Sequence, residues 1–325
     1  MCARRAIFSF IIGLSIYSCQ QPKSDTSSSA NQKLETKKSI TEIDEAFHFF
    51  VLGDWGRNGD HGQKEVADQM NIAAKTVEPE FIISTGDNFY PNGVASVNDP
   101  YWKSSFEDIY SGAELFCPWN VVLGNHDYRG NVQAQIDYSN ISRRWNMPSR
   151  YFYEDVIEDE VSIRFIYLDT SPFEDKYYEE LKYQNVWIQD STAQLNWIDQ
   201  VMSVDSMDWK IVVGHHPLYS GGKRLEETQD VKGHLEKVFK KHDIDLYLAG
   251  HEHDLQHIKP EGPTHYVISG AGSETRKTGS FDKTLFARSI QGFTAISVTK
   301  EELFLQFVDL NGEMIYRTSI SNHRK

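Results

Sequence analysis

From Phe47 onward, short apolar runs recur, each ending at a glycine with polar residues after it. Phe49-Phe50-Val51-Leu52 leads to Gly53-Asp54-Trp55-Gly56, Phe81-Ile82-Ile83 to Gly86-Asp87-Asn88-Phe89-Tyr90, and Val121-Val122-Leu123 to Gly124-Asn125-His126-Asp127. Ile211-Val212-Val213 leads to Gly214-His215-His216-Pro217, and Leu246-Tyr247-Leu248-Ala249 to Gly250-His251-Glu252-His253. Continuous apolar runs of this length suit strands buried on both faces. Between them lie helical patterns. Glu65 to Val77 puts Val66, Met70, Ala73 and Val77 on one face; Ser191-Thr192-Ala193-Gln194 reads as a capping box ahead of Leu195, Ile198 and Met202; and Val231 to His242 turns Leu235, Val238 and Phe239 inward. The alternation predicts an α/β fold with its polar strand ends on the side where such sheets bind ligands.

The texture changes toward the carboxyl end. Tyr266 to Ser269, Phe293 to Val298, Leu303 to Val308 and Met314 to Thr318 read as successive strands, the last two joined through Asp309-Leu310-Asn311-Gly312, where Asn-Gly signals a hairpin. No linker-like tract separates them from the histidine motifs, so residues 46–325 are expected to form one catalytic domain. The amino terminus differs from both regions. Arg4 and Arg5 precede an apolar run from Ala6 to Tyr17, shorter than the ~20 residues that span a bilayer. Residues 1–18 are therefore read as a signal peptide, and Ile16-Tyr17-Ser18-Cys19 resembles a bacterial lipobox. The polar stretch over 19–45 is expected to be a flexible tether. An exported protein, lipid-anchored through Cys19 to a bacterial membrane and facing periplasm or exterior, is the corresponding expectation.

Cysteine usage agrees with that order. Cys2 leaves with the signal and Cys19 carries lipid, which leaves Cys117 alone and the mature chain without a disulfide. In Leu115-Phe116-Cys117-Pro118-Trp119 it reads as a small buried hydrophobe. Charge narrows the partners. With 325 residues and a formal net charge of -14, the chain lacks the basic stripes that a nucleic acid polymer needs. A small anionic substrate is still open, because bound cations reverse the local field. A monomer is expected.

Taken together, the strand-end positions offer Asp54, Asp87, Tyr90, Asn125, His215, His251 and His253. Oxygen and nitrogen donors without thiolates suit iron, manganese or zinc. Asp87, just past a buried strand, can give one oxygen to each of two cations. Such a pair, ~3.5–4 Å apart, clamps a phosphoryl group and brings the pKa of a bound water from ~15.7 toward ~7. A phenol with an ordinary pKa of ~10 becomes a ligand only beside a strongly acidic cation, so Tyr90 points to a ferric ion.

The five glycine-led blocks resemble the complete motif set of the purple acid phosphatases, a family of calcineurin-like metallophosphoesterases. Similarity to the small, tartrate-resistant animal type continues in Gly93-Val94, Phe106-Glu107-Asp108, Gln135-Ile136, Tyr138-Ser139, Arg144-Trp145-Asn146 and Ser269-Gly270-Ala271-Gly272. The resemblance implies a four-layer α/β/β/α metallophosphoesterase sandwich. It implies that Asp54, Asp87, Tyr90 and His253 hold Fe(III), while Asp87, Asn125, His215 and His251 hold Fe(II), Zn(II) or Mn(II). His126 is then the catalytic residue that contacts phosphate. The implied reaction is hydrolysis of small phosphomonoesters by a metal-bound hydroxide, as in an acid phosphatase.

One departure stands out. The family's small animal members carry a further histidine several residues after the Val-x-x-His histidine, to protonate the leaving group, and Tyr219-Ser220-Gly221-Gly222-Lys223-Arg224-Leu225 has none. Lys223 or Arg224 in contact with phosphate, water, and His126 are the replacements considered. His216 reads as structural because consecutive residues point apart, and His61, His234, His242, His257 and His265 read as surface or satisfied histidines. Trp55 and Phe89 read as packing or rim residues, and Glu154-Asp155 with Glu158-Asp159-Glu160 as a solvated turn. The alternatives are a phosphodiesterase or nucleotidase on the same scaffold, and a surface lipoprotein that binds phosphate or metal without turnover.

Overall fold

A computed structural model describes residues 38–158, 160–203, 206–224 and 228–324. The expected leader, Cys19 and the tether as far as Lys37 lie outside the described residues, as do Asp159 and Leu225. The strands are β1 (Phe47–Leu52), β2 (Phe81–Ser84), β3 (Trp119–Val121), β4 (Trp145–Asn146), β5 (Phe152–Glu158), β6 (Val161–Tyr167), β7 (Trp209–Val213), β8 (Leu246–Ala249), β9 (Leu255–Ile258), β10 (His265–Ser269), β11 (Thr284–Arg288), β12 (Gly292–Val298), β13 (Glu302–Asp309) and β14 (Met314–Ser321). The helices are α1 (Gln63–Val77), α2 (Val132–Tyr138), α3 (Ser191–Met202) and α4 (Gln229–Lys241). Two mixed sheets result, ordered β14-β13-β12-β1-β2-β3-β4 and β11-β9-β10-β8-β7-β6-β5.

The period-two alternation of side chains along each strand explains why the sheets stack in four layers. Phe49, Val51, Phe81 and Ile83 face Phe165, Tyr167, Ile211, Val213, Leu246 and Leu248 in a core between the two sheets. Phe165 reaches across, with ring centroids 5.2 Å from both Phe49 and Phe81. The intervening residues Phe50, Leu52 and Ile82 point the other way and pack with Val66, Met70, Ala73 and Val77 of α1. On the far side, Ile166, Val212, Tyr247 and Ala249 meet Ile198 and Met202 of α3 with Leu235 and Phe239 of α4. Each fully buried Phe, Ile or Leu contributes roughly 1.5–3 kcal/mol, so apolar runs that continue through the strands are what hold helices to both outer faces.

Several local expectations shift. Asp190, not Ser191, caps α3, its side chain accepting from the Ala193 amide at 2.9 Å. Gln194 is drawn inside instead, where it bonds both the amide and the carbonyl of Asp169. The strand read at Val121 to Leu123 begins and ends earlier, at Trp119 and Val121. Glu154 and Asp155 belong to β5 rather than to a turn. Glu154 accepts from Asn120, and Asp155 makes a two-pronged contact with Arg164 on β6 at 2.6 Å. Ahead of β1, Thr41 exchanges two hydrogen bonds with the Gln306 side chain, and the Lys38 carbonyl accepts from Met314.

Candidate metal centre

Register brings the motifs together. β1 and β2 are parallel with Leu52 opposite Ser84, so Gly53-Asp54 and Gly86-Asp87 leave the sheet at the same height, and the Asp54 amide donates to the Gly86 carbonyl at 3.0 Å. β7 and β8 are likewise parallel, with Val213 opposite Leu248. The sheets are joined at this edge by the His251 amide, which donates to Asp54 Oδ2 at 2.9 Å. Asp54, Asp87 and His251 all adopt left-handed backbone, with φ of 58°, 51° and 68°. Such conformations cost on the order of 1 kcal/mol or more each and persist where the surroundings over-determine them. Gly86 has φ 92°, and a Cβ there would lie 2.7 Å from the Gly124 amide nitrogen and 2.9 Å from His215 Nδ1.

Two groups of donor atoms meet at Asp87. In the first, Tyr90 Oη lies 2.9 Å from Asp54 Oδ1, 2.9 Å from Asp87 Oδ2 and 3.0 Å from His253 Nε2. In the second, Asn125 Oδ1 lies 3.1 Å from His251 Nδ1 and 3.3 Å from His215 Nε2, and those two nitrogens are 3.2 Å apart. Asp87 Oδ1 is 3.5 Å from His215 Nε2. All seven residues are buried, none more than 5% exposed.

Lone pairs outnumber protons in both groups. One phenol proton serves three acceptors in the first, and the second turns two imidazole nitrogens and an amide oxygen toward one point. Burying such sets is costly unless a cation compensates them, and that is how these residues fit metal ions. The titration behaviour points the same way. Burial pushes the Asp54 carboxyl up to about 7. Burial acts on Asp87 too, but His215, His126 and the His126 amide outweigh it and hold this carboxyl below its ordinary value. Burial and the two carboxylates hold the Tyr90 phenol well above its usual range. A cation among these groups inverts that balance.

Outer contacts fix which atom faces inward. His215 gives its Nδ1 proton to the Thr85 carbonyl at 2.9 Å, leaving the Nε2 lone pair. Asn125 donates through Nδ2 to Tyr183 Oη at 3.0 Å, turning Oδ1 to the site. His126 gives Nδ1–H to the Pro91 carbonyl at 2.6 Å, and its Nε2 lies 3.9 Å from Asp87 Oδ2. Beneath them Asp127 is fully buried and accepts from the Gly124 amide, the Asn88 amide and Gln135. His216 lies near His215 and His251, close enough to share a cation. Its ring nitrogens are nevertheless occupied, Nδ1 with Thr170 Oγ1 at 2.8 Å and Nε2 with Tyr177 Oη at 2.9 Å. Trp55 and Phe89 pack in a buried aromatic cluster with Trp102, Phe106, Tyr110, Trp119 and Trp145. His257 and His265 bond each other at 2.8 Å, and His242 bonds Asp199 at 2.6 Å, both away from this centre.

A cleft of about 380 Å³ opens beside Asn125, lined by Arg129, Lys176, Tyr177, Glu180, Lys182, Tyr183 and Arg224. Four cations and one carboxylate line it, with Lys176 meeting Glu174 at 3.4 Å and Lys182 pairing with Glu180 at 2.6 Å, in a chain whose net charge is -14. Of the two cations named from sequence, Arg224 reaches the site, with Nη1 3.4 Å from His251 Nε2, whereas Lys223 is exposed. The sequence reading missed Arg57, whose guanidinium stacks 3.8 Å above the Tyr90 ring, and Arg276, which donates to the His251 carbonyl. It also missed Arg129 and Tyr183. Tyr183 sits in short 3-10 turns (Ser171–Phe173, Asp175–Tyr178, Leu181–Val186) that carry no periodic signal.

Residues 47–255 match the calcineurin-like phosphoesterase family. Purple acid phosphatase 3 of Arabidopsis thaliana is 34% identical over 306 residues, covering 90% of this chain and 82% of the relative. Tartrate-resistant acid phosphatase type 5 of Homo sapiens is 30% identical over 297 residues, covering 85% and 91%. The chain belongs to the purple acid phosphatase family. The α/β/β/α sandwich agrees with a purple acid phosphatase from yellow lupin seeds, at a TM-score of 0.65 with 17% identity over 87% of this chain and 55% of that one, a likeness of fold. GAP50, the anchor in the inner membrane complex of Plasmodium, gives a TM-score of 0.74 with 26% identity over 86% and 90%. This family member is thus a metallophosphoesterase relative with a buried His/Asp site suited to metal.

Proposed function

We propose that the protein hydrolyses phosphomonoesters at a dinuclear centre of the purple acid type. The observation that carries this reading is the disposition of Asp87, with Oδ2 2.9 Å from Tyr90 Oη and Oδ1 3.5 Å from His215 Nε2. Asp54, Asp87, Tyr90 and His253 would hold Fe(III), and Asp87, Asn125, His215 and His251 would hold Fe(II), Zn(II) or Mn(II). Ions bound there would lower the pKa of water and polarise the phosphoryl oxygens.

The chain's own residues supply the rest. Because His126 gives Nδ1–H to Pro91, the Nε2 of its neutral ring accepts, and it donates to phosphate only as an imidazolium. Burial lowers its pKa to about 4, and a bound phosphate anion opposes that shift. The cationic cleft attracts an anionic ester and takes its leaving group. Metal-loaded protein should turn over p-nitrophenyl phosphate faster than bis(p-nitrophenyl) phosphate and show a violet absorption band. A preference for the diester, or metal binding without turnover, would overturn this reading. We also propose export, with lipid attached at Cys19 and a monomeric catalytic domain. Loss of labelled palmitate incorporation in Cys19→Ser, and sedimentation of the soluble domain, test these two points.

A further inference from the structure

The loop after His215 carries no histidine between Pro217 and Arg224. Tyr183 lies in the cleft beside Asn125. Its ring lies beside that of Tyr177 at a centroid distance of 4.1 Å, and the residue is 3% exposed on the wall of the cleft that opens from Asn125.

The valences of its hydroxyl are nearly exhausted. A tyrosine oxygen accepts up to two hydrogen bonds and donates one. Asn125 Nδ2 donates to it at 3.0 Å, and Arg129 Nη2 donates at 2.9 Å. Neither an amide NH2 nor a guanidinium can accept a proton in return. The Tyr183 O–H is therefore left to donate to a further acceptor. Arg129 and Asn125 also hold the oxygen in place, so the donor is preorganised at no reorganisation cost during reaction.

We propose that Tyr183 is a catalytic residue whose hydroxyl hydrogen-bonds the leaving-group oxygen. This rests on the phosphomonoesterase reading, in which Asp87 and Asn125 would hold the ions that bind the phosphoryl group, beside the cleft that would take its ester oxygen. As a water-derived oxygen bonds to phosphorus and the ester P–O bond breaks, the electron pair of the broken bond moves onto the leaving oxygen, which accepts the hydrogen bond from Tyr183. Tyr183 keeps its proton, and the departing alkoxide or phenoxide takes one from water. The interaction matters most when the leaving group is a poor one, because more charge then develops on that oxygen.

The test compares wild type with Tyr183→Phe, both metal-loaded, across a series of substituted phenyl phosphates and glycerol phosphate. The expected result is a steeper fall of kcat/KM with leaving-group pKa in the variant. Hydrolysis of glycerol phosphate should drop about tenfold more than that of p-nitrophenyl phosphate. A variant that merely loosens Asn125 and loses metal lowers every substrate by the same factor, so an unchanged slope overturns the proposal whatever the size of the uniform loss. A 3-fluorotyrosine at this position, which keeps the O–H donor, should restore the wild-type slope, and a slope that stays steep overturns it. Wild-type protein inert toward the whole series would instead refute the phosphomonoesterase reading itself.

Discussion

Gly124→Ala is a small change that should disable the centre without replacing any proposed ligand. A Cβ built at Gly124 lies 2.2 Å from both the amide nitrogen and Oδ1 of Asp87, and 2.8 Å from its Cα. That is at least ~1 Å inside ordinary van der Waals contact. Two of the three obstructing atoms are backbone, so a side-chain rotation does not relieve the clash. Gly124 is not free to retreat either, because its amide donates to Asp127 Oδ2 at 2.8 Å, and Asp127 is itself held by the Asn88 amide and Gln135. Asp87 is the group that must move, away from the His126 amide that donates to Oδ1 at 2.7 Å. Overpacking of this kind costs about 1–3 kcal/mol, which a domain of this size survives. A ~1 Å displacement of a reacting constellation costs roughly 10²-fold in rate. Purified Gly124→Ala should therefore remain folded by circular dichroism, bind less metal by elemental analysis, and hydrolyse p-nitrophenyl phosphate about two orders of magnitude more slowly. Full metal content with a rate within threefold of wild type would refute the reasoning.

Gly233 is exposed on α4, and a Cβ added there would meet no atom within 4 Å, so Gly233→Ala should raise stability by about 0.5–1 kcal/mol through helix propensity alone, read as a higher denaturant midpoint at unchanged activity. His216→Phe should keep its metal, because both ring nitrogens serve Thr170 and Tyr177, while the Tyr177 hydroxyl loses its partner at a cost of about 1–3 kcal/mol and the Thr170 hydroxyl still accepts from the His215 and His216 amides; metal analysis and a melting curve check both parts. Burial lowers His257 to about 4 and His265 to about 3, so their unfolded forms bind protons first. Stability should fall on acidification from about pH 6.5 toward 4, by on the order of 1 kcal/mol per unit for each ring, and His257→Gln should flatten that dependence in denaturant titrations.

The strand-end chemistry was legible because each reactive residue directly follows an apolar run whose burial on both faces is written in its composition. Asp54 and Asp87 lie one residue past a glycine at the end of adjacent parallel strands, and parallel register then fixes their proximity. The four layers came from the family resemblance, and the same runs agree with them, since Phe49 and Phe50 face opposite sides of a sheet. What escaped were elements too short or too polar to carry a period. β4 has two residues and α2 seven, while β9 buries Gln256 and His257 among its four. The capping box failed because Asp190 and Ser191 are both good caps, and the buried partner of Gln194 decided between them. Tyr183 and Arg129 were hidden for another reason. Their role depends on the hydrogen bonds that Asn125 and Arg129 donate to the Tyr183 hydroxyl across the cleft, which no local spacing encodes.

The central claim is that Asp87 joins the two donor groups into one dinuclear centre. Elemental analysis of Asp87→Ala beside wild type, both reconstituted with iron and zinc, tests it most directly. The account predicts two ions per chain in wild type and the loss of most bound metal, together with p-nitrophenyl phosphate turnover, in the variant. Two ions per chain and full turnover in Asp87→Ala would contradict it.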